Sequence, residues 1–292
     1  MTNIEEFVAR VSDDIIPAVP NRTFANSGIA KEMVRGERTW TLGELLGVGG
    51  FGRVHKATSG DTEAAVKLIP KSPGAKREVI IAATLAEERE GMSNIVPILD
   101  HGETAEDYFL VMPLASESLR ARLARGLVLH GESLAILTDI ATALTQLHDR
   151  VIHRDLKPEN VLLLDEWCVS DFGISKHADQ ATATETTKFN FTPSYAAPEQ
   201  WRYDTATAAT DVYAWGIIAA ELLTGAPPYQ GPSLDDYREQ HLHGDAPGLS
   251  TLARELAELI QQCVTKSASD RPTAIDILQR LPRSHTTTNK VQ

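Results

Sequence analysis

The pattern of the chain turns from mostly strand-like to mostly helical near residue 113, and that change restricts the fold more than any other feature. From Thr39 to Met112 the pattern is one of short strand-like runs: Trp40 to Leu46, Arg53 to Thr58, Thr62 to Ile69, Ile95 to Asp100 and Tyr108 to Met112. Glycine turns separate the first three, and Ser59-Gly60-Asp61 predicts a hairpin. Ala75 to Glu88 interrupts them with one helical pattern. Beyond Pro113 the period is helical over Leu134 to His148, Asp211 to Leu223, Ser233 to His241, Leu249 to Val264 and Thr273 to Arg280. A small antiparallel sheet with one main helix, followed by a larger helical part, makes this an α+β chain.

Ahead of the sheet, Ile4, Phe7, Val8, Val11 and Ile15 have helical spacing, and Pro17 and Pro20 stop that helix. Asn21 to Gly36 is turn-rich and gives no assignment. The organisation expected is therefore an extension with an amphipathic helix over 1–38, a folded domain over 39–282 and a polar tail over 283–292.

Chemistry-bearing motifs follow one another along this frame. Gly47-Val48-Gly49-Gly50-Phe51-Gly52 comes first, then Lys67 in Ala64-Ala65-Val66-Lys67. His153-Arg154-Asp155-Leu156-Lys157-Pro158-Glu159-Asn160 precedes Asp171-Phe172-Gly173 by one short strand, and Ala197-Pro198-Glu199 follows. A glycine pattern of this kind also opens dinucleotide-binding folds, where it joins a strand to a helix. Here Arg53 to Ala57 continues as strand, so the pattern fits a flap over phosphates, where a Cβ would obstruct the backbone.

Taken in this order the motifs resemble those of the protein kinases, over roughly residues 39 to 282. The resemblance implies a bilobal fold with an N-lobe over 39–112, a hinge over 113–117 and a C-lobe over 118–282. It implies ATP as phosphate donor and Mg²⁺ as cofactor, with Mn²⁺ able to substitute. Gly47, Val48, Gly49, Gly50, Phe51 and Gly52 would cover the phosphates. Val54, Ala65 and Leu162 would sandwich the adenine beside Met112, and the Pro113 carbonyl and Ala115 amide would bond its edge. Lys67 would grip the α- and β-phosphates, steadied by Glu78, with Glu87 or Glu88 as alternatives because only residues 68–77 separate Lys67 from Glu78.

By the same resemblance Asp155 would orient the substrate hydroxyl and accept its proton, and Lys157 would offset charge on the moving phosphoryl group. Asn160 and Asp171 would hold the metal, whose preference is for oxygen ligands. Thr192 would hydrogen-bond Asp155 and Lys157, while Phe191 stands where the family has glycine. His153 and Phe172 would pack beneath the site. Asp211 would anchor the catalytic-loop backbone, and Arg271 would pair with Glu199. Arg154 before Asp155 implies a phosphorylated loop, with Thr184 and Thr186 as the candidate sites.

The expected activity is transfer of the ATP γ-phosphate to protein serine or threonine, including the chain itself. A small-molecule phosphotransferase or an ATP-binding pseudokinase scaffold are the alternatives. The Leu-Lys-Pro-Glu and Ala-Pro-Glu segments argue against the first, and the set Lys67, Asp155, Asn160 and Asp171 against the second. A formal charge of −12 disfavours nucleic acid or an anionic membrane as partner. Two cysteines, Cys168 and Cys263, cannot build a disulfide framework and read as small buried hydrophobes. With no apolar run long enough to span a bilayer and no signal peptide at Met1 to Arg10, the expectation is a cytoplasmic protein with no membrane span.

Overall fold

Trp40, Leu42, Val66, Leu68 and Phe109 point to one side of their strands, and that shared side becomes the core of a sheet. The structure is a computed structural model describing residues 32–49, 52–87, 92–172, 191–245 and 248–282, without the side chains of Pro73, Gly74, Arg77, Glu78 and Ala86. The helix expected over 3–16, the tail over 283–292, and Thr184 and Thr186 lie outside the described residues.

The chain divides into two compact units. The first holds residues 32–87 and 96–115. Its six strands are β1 (Met33–Arg35), β2 (Thr39–Gly49), β3 (Gly52–Ser59), β4 (Thr62–Pro70), β5 (Asp100–Glu103) and β6 (Asp107–Met112), in the order β1-β2-β3-β4-β6-β5 and all antiparallel. Helix α1 (Pro73–Glu87) packs on β6 through a stripe including Val79, Ala82 and Leu85. Each large apolar side chain buried in this way contributes roughly 1.5–3 kcal/mol.

Two readings are corrected here. Ile95 to Asp100 is no strand: Ile95 makes one isolated parallel bridge to Val169, and the ladder with β6 starts only at Asp100. Pro97 lacks a donor and Asn94 has φ 58°, so this backbone cannot run as a regular strand. The stretch left unassigned before Thr39 supplies β1. Buried Asp100 holds it in place, accepting from the backbone N–H groups of Glu37 and Arg38 at 3.0 Å and from Trp40 Nε1 at 2.8 Å.

The second unit covers residues 92–95, 116–172, 191–245 and 248–282 among those described. A three-stranded sheet joins β7 (Glu117–Ser118), β8 (Val161–Leu163) and β9 (Trp167–Val169). Its helices are α2 (Leu119–Ala124), α3 (His130–Leu147), α4 (Pro198–Trp201), α5 (Ala208–Thr224), α6 (Leu234–His243), α7 (Arg254–Cys263) and α8 (Ala274–Arg280). Helix α5 is buried from Thr210 to Leu222 and, apart from Thr210, Asp211 and Glu221, apolar over that stretch, so it serves as the axis on which α3 and α7 pack. Trp215 Nε1 donates to the Leu137 carbonyl at 3.0 Å, tying α5 to α3. The single helix expected over Leu249 to Val264 is broken: a 3₁₀ turn at Leu249–Thr251 precedes α7, with Leu252 extended between them. Both cysteines are buried, as expected.

Candidate active site

In the first unit strand register alone gathers the candidates. Val54 pairs with Lys67 and Lys67 with Leu110, while Ala65 pairs with Met112. Partners across a ladder share a face and residues two apart share it too, so Val54, Ala65, Lys67 and Met112 lie on one face, opposite the apolar core. Lys67 is only 4% exposed. The helix register puts Ala82 and Leu85 in the core, four and seven residues on from Glu78, whose own side chain lies outside the description. Glu87 is exposed, and Glu88 lies outside the described residues. Pro113 and Ala115 follow β6 and are half-buried.

The glycines of the first motif divide into two kinds. Gly52 has φ 138°, and a Cβ on it would fall 1.9 Å from the Leu68 carbonyl oxygen. Its lack of a side chain is therefore an internal necessity of the β3–β4 pairing. A Cβ on Gly47 or Gly49 would meet nothing within 4 Å among the described residues, and neither has a positive φ, so none of the described residues demands glycine there. Val48 between them is 72% exposed; Gly50 and Phe51 lie outside the described residues.

In the second unit the candidates sit on irregular backbone held by polar bonds. Asp155, 5% exposed, is the centre. Its Oδ1 accepts from the Thr192 backbone N–H at 3.0 Å and hydroxyl at 2.9 Å, and its Oδ2 lies 2.9 Å from Lys157 Nζ. Lys157 Nζ also donates to the Thr192 hydroxyl at 2.9 Å, so the three side chains close a triangle in which each donor has an acceptor. Asn160, ending a 3₁₀ turn, donates through Nδ2 to the Asp155 carbonyl at 2.9 Å, which commits its nitrogen, so the amide oxygen is the atom that could serve a cation. The Asn160 carbonyl takes both the N–H and the hydroxyl of Ser170, fixing the backbone next to Asp171. Asp171 has φ 57°, an uncommon conformation for a side-chain-bearing residue. Leu162 is half-buried on β8.

Beneath the triangle His153 is fully buried, its ring 5.5 Å from Phe172. Its Nε2 is 2.8 Å from the Ser170 carbonyl, which can only accept, and its Nδ1 receives the Asp155 N–H at 3.3 Å. These two bonds match the Nε2–H tautomer. Asp211, in the first turn of α5, accepts the N–H of His153 and of Arg154, both at 2.8 Å. Burial pushes its carboxyl above the usual range while these two amides pull it back. Arg154 is held at φ 66°, and its carbonyl accepts from Gln200 Nε2 at 2.8 Å.

Glu199 and Arg271 make two parallel bonds of 2.7 and 2.8 Å. Burial alone would raise the Glu199 carboxyl, but the guanidinium outweighs it and holds the pKa below the ordinary value. Phe191 meets Trp201 edge-on at 4.9 Å, so an aromatic contact stands where the family has glycine. Sequence reasoning missed Gln200, Tyr195, Arg120 and Glu221. Gln200 directly follows Ala197-Pro198-Glu199, a position that could have drawn attention. Tyr195 lies between Thr192 and that motif, within the same segment, whereas Arg120 and Glu221 carry no local signal.

A family model described as protein kinase domain matches residues 40–281. Among similar proteins are serine/threonine-protein kinase PkaA of Streptomyces coelicolor, 35% identical over 83% of this chain and 49% of that protein, and serine/threonine-protein kinase PknD of Mycobacterium tuberculosis, 34% identical over 80% of this chain and 37% of that protein. Serine/threonine-protein kinase PknH of Mycobacterium bovis is 35% identical over 79% of this chain and 40% of that protein. The chain thus spans half or less of the length of these relatives.

Proposed function

The chain belongs to the protein kinase family, and on that premise we propose that it transfers the γ-phosphate of ATP to serine or threonine hydroxyls of protein, itself included. The observation that carries this reading is the triangle of Asp155, Lys157 and Thr192. Phosphoryl transfer needs alignment and charge neutralisation more than covalent chemistry. Thr192 and Lys157 fix the direction in which the Asp155 carboxylate faces, so that it receives the substrate hydroxyl and its proton. Lys157 brings a positive charge to the same place for the γ-phosphoryl oxygens.

Asn160 and Asp171 fit a hard divalent cation: one amide oxygen and one carboxylate are the kind of donor set that Mg²⁺ completes with phosphate oxygens and water. Bound there, the ion would supply neutralisation of the phosphate charge. Lys67 would hold the α- and β-phosphates with Glu78 as its partner, and Gly47 and Gly49 would let the backbone approach those phosphates. The open space around both glycines supports this. The face carrying Val54, Ala65 and Met112 offers an apolar surface to the adenine ring, with the Pro113 carbonyl and Ala115 amide for its edge. Among the described residues no helix is long and apolar enough to cross a membrane, and we place the activity in the cytoplasm, where ATP is supplied.

The test is labelling of the purified chain and of a generic protein by radioactive ATP with Mg²⁺. Asp155→Asn keeps the shape and removes the proton acceptor, so transfer is expected to fall by about 10²–10⁴ with ATP affinity little changed. Equal labelling by wild type and variant would refute the assignment, and transfer to an aminoglycoside or choline but to no protein would replace the substrate class. In the same assay Glu78→Gln should be slow and Glu87→Gln normal, and mass spectrometry should find self-labelling at Thr184 or Thr186.

A further inference from the structure

Arg120, on the short helix α2, binds three groups that belong to three different segments of the second unit. Its Nε is 2.9 Å from Glu159 Oε1 and one terminal nitrogen is 2.7 Å from Glu221 Oε1. The other terminal nitrogen donates to the Tyr195 hydroxyl, which itself donates to Glu221 Oε2 at 2.5 Å. Glu221 is buried inside α5, whereas Glu159 and Arg120 are partly open to water. The planar guanidinium reaches all three groups at once; an ammonium on a flexible stem, being a point charge, has no such fork.

The segments joined are those that hold the reacting carboxylate. Glu159 lies in the turn Pro158–Asn160, and Asn160 is bonded to the Asp155 carbonyl. Tyr195 ends the turn Pro193–Tyr195, which Thr192 caps, and Thr192 is bonded to the Asp155 carboxylate. Arg120 is thus bonded to one side of Asp155 through Glu159 and to the other through Tyr195, with the rigid α5 as common support.

We propose that Arg120 is a positioning residue for phosphoryl transfer. Its three-way bridge sets the spacing between the Asn160 turn and the Thr192 turn, and so the seating of Thr192 on Asp155. This rests on the reaction proposed above. The competing role is simple neutralisation of Glu221, a charge buried in a helix.

Two variants of the full chain separate these roles. Arg120→Met combined with Glu221→Gln removes both charges together, leaves no lone buried ion and keeps an acceptor for Tyr195. Arg120→Lys keeps the charge and removes the fork. Positioning requires kcat for protein labelling to fall about tenfold or more in the double variant and several-fold in Arg120→Lys, because a misplacement of about 1 Å at a reacting centre can remove about 10² in rate. Melting temperature and KM for ATP should stay near wild type in both. Wild-type kcat in either variant overturns the inference, as does a fall in kcat that tracks a fall in melting temperature in both. A wild-type chain that labels no protein at all would overturn the proposed reaction and this inference with it; an active wild type matched by an equally active double variant would overturn this inference alone.

Discussion

Lys67 and Asp155 are the central charged residues of their respective units, and the two are positioned by different means. Lys67 stands on a regular strand between Val54 of β3 and Leu110 of β6, so ladder register decides which face it occupies. Asp155 stands on backbone with no regular ladder, one residue beyond Arg154 at φ 66°, and is located by bonds from Thr192, Lys157 and Asn160. Register tolerates many side chains as long as the alternation survives. A polar network does not, because each lost partner leaves a buried group unsatisfied. The first unit should therefore be sensitive to changes of backbone and the second to changes of charge.

The largest effect expected from this contrast is at Arg271. Removing it leaves Glu199 buried among the Thr210 hydroxyl and apolar neighbours, and breaking such a pair typically removes about 3–5 kcal/mol. Urea denaturation of Arg271→Ala should show a drop of that size, whereas Lys56→Ala, which loses a partly exposed ion pair with Glu63 in the first unit, should stay within about 1 kcal/mol of wild type. Comparable losses in both would break the contrast.

A smaller effect separates the glycines within the first unit. Gly52→Ala forces a Cβ against the Leu68 carbonyl and should destabilise by about 1–3 kcal/mol. Gly47→Ala has room and should leave the melting temperature unchanged while weakening nucleotide binding, which titration calorimetry with ATP would read. If Gly47→Ala binds ATP normally, the open space there serves no ligand.

The smallest expected effect concerns Asp139 on α3, which accepts the Trp167 N–H at 3.2 Å. Burial, with repulsion from Glu166 as a lesser cause, pushes its pKa up to about 6. A raised carboxyl pKa means that the folded state binds the proton more tightly than the unfolded chain, so stability falls as pH rises from about 4 through about 6. Asp139→Asn should then melt higher than wild type at pH 7, with the difference gone by about pH 4. The carboxyl is partly exposed, so the gain should be below about 1 kcal/mol. A variant less stable at pH 7 would show that the ionised form is worth more than its burial takes away.

What was legible in the sequence follows the same division. Val54, Ala65 and Lys67 were legible through the resemblance of their motifs, and the ladder then turns that local order into a shared face. Asp155, Lys157, Asn160 and Thr192 were legible only because they lie within short motifs, and the bonds expected from Thr192 to both Asp155 and Lys157 are present. Arg120 was not legible: its partners Glu159, Tyr195 and Glu221 lie 39, 75 and 101 residues away, and its helix is only six residues long. Asp100 was taken for the end of a strand, but it starts β5 and holds the chain before Trp40 through three donors that no local pattern identifies as its partners. Side chains whose whole role is to join distant segments leave no periodic trace.

Asp211 brings the loop that carries Asp155 and the buried helix α5 into a single cooperative unit. One carboxylate at the start of α5 carries the amides of both His153 and Arg154, so the backbone leading into Asp155 is an outgrowth of the core rather than an independently folded loop. A loop hung on the surface would loosen first on warming, and activity would fade well below the global transition. Here the amides of His153 and Arg154 are expected to exchange their hydrogens only as slowly as those of α5 itself, and heat inactivation to coincide with the melting of the second unit.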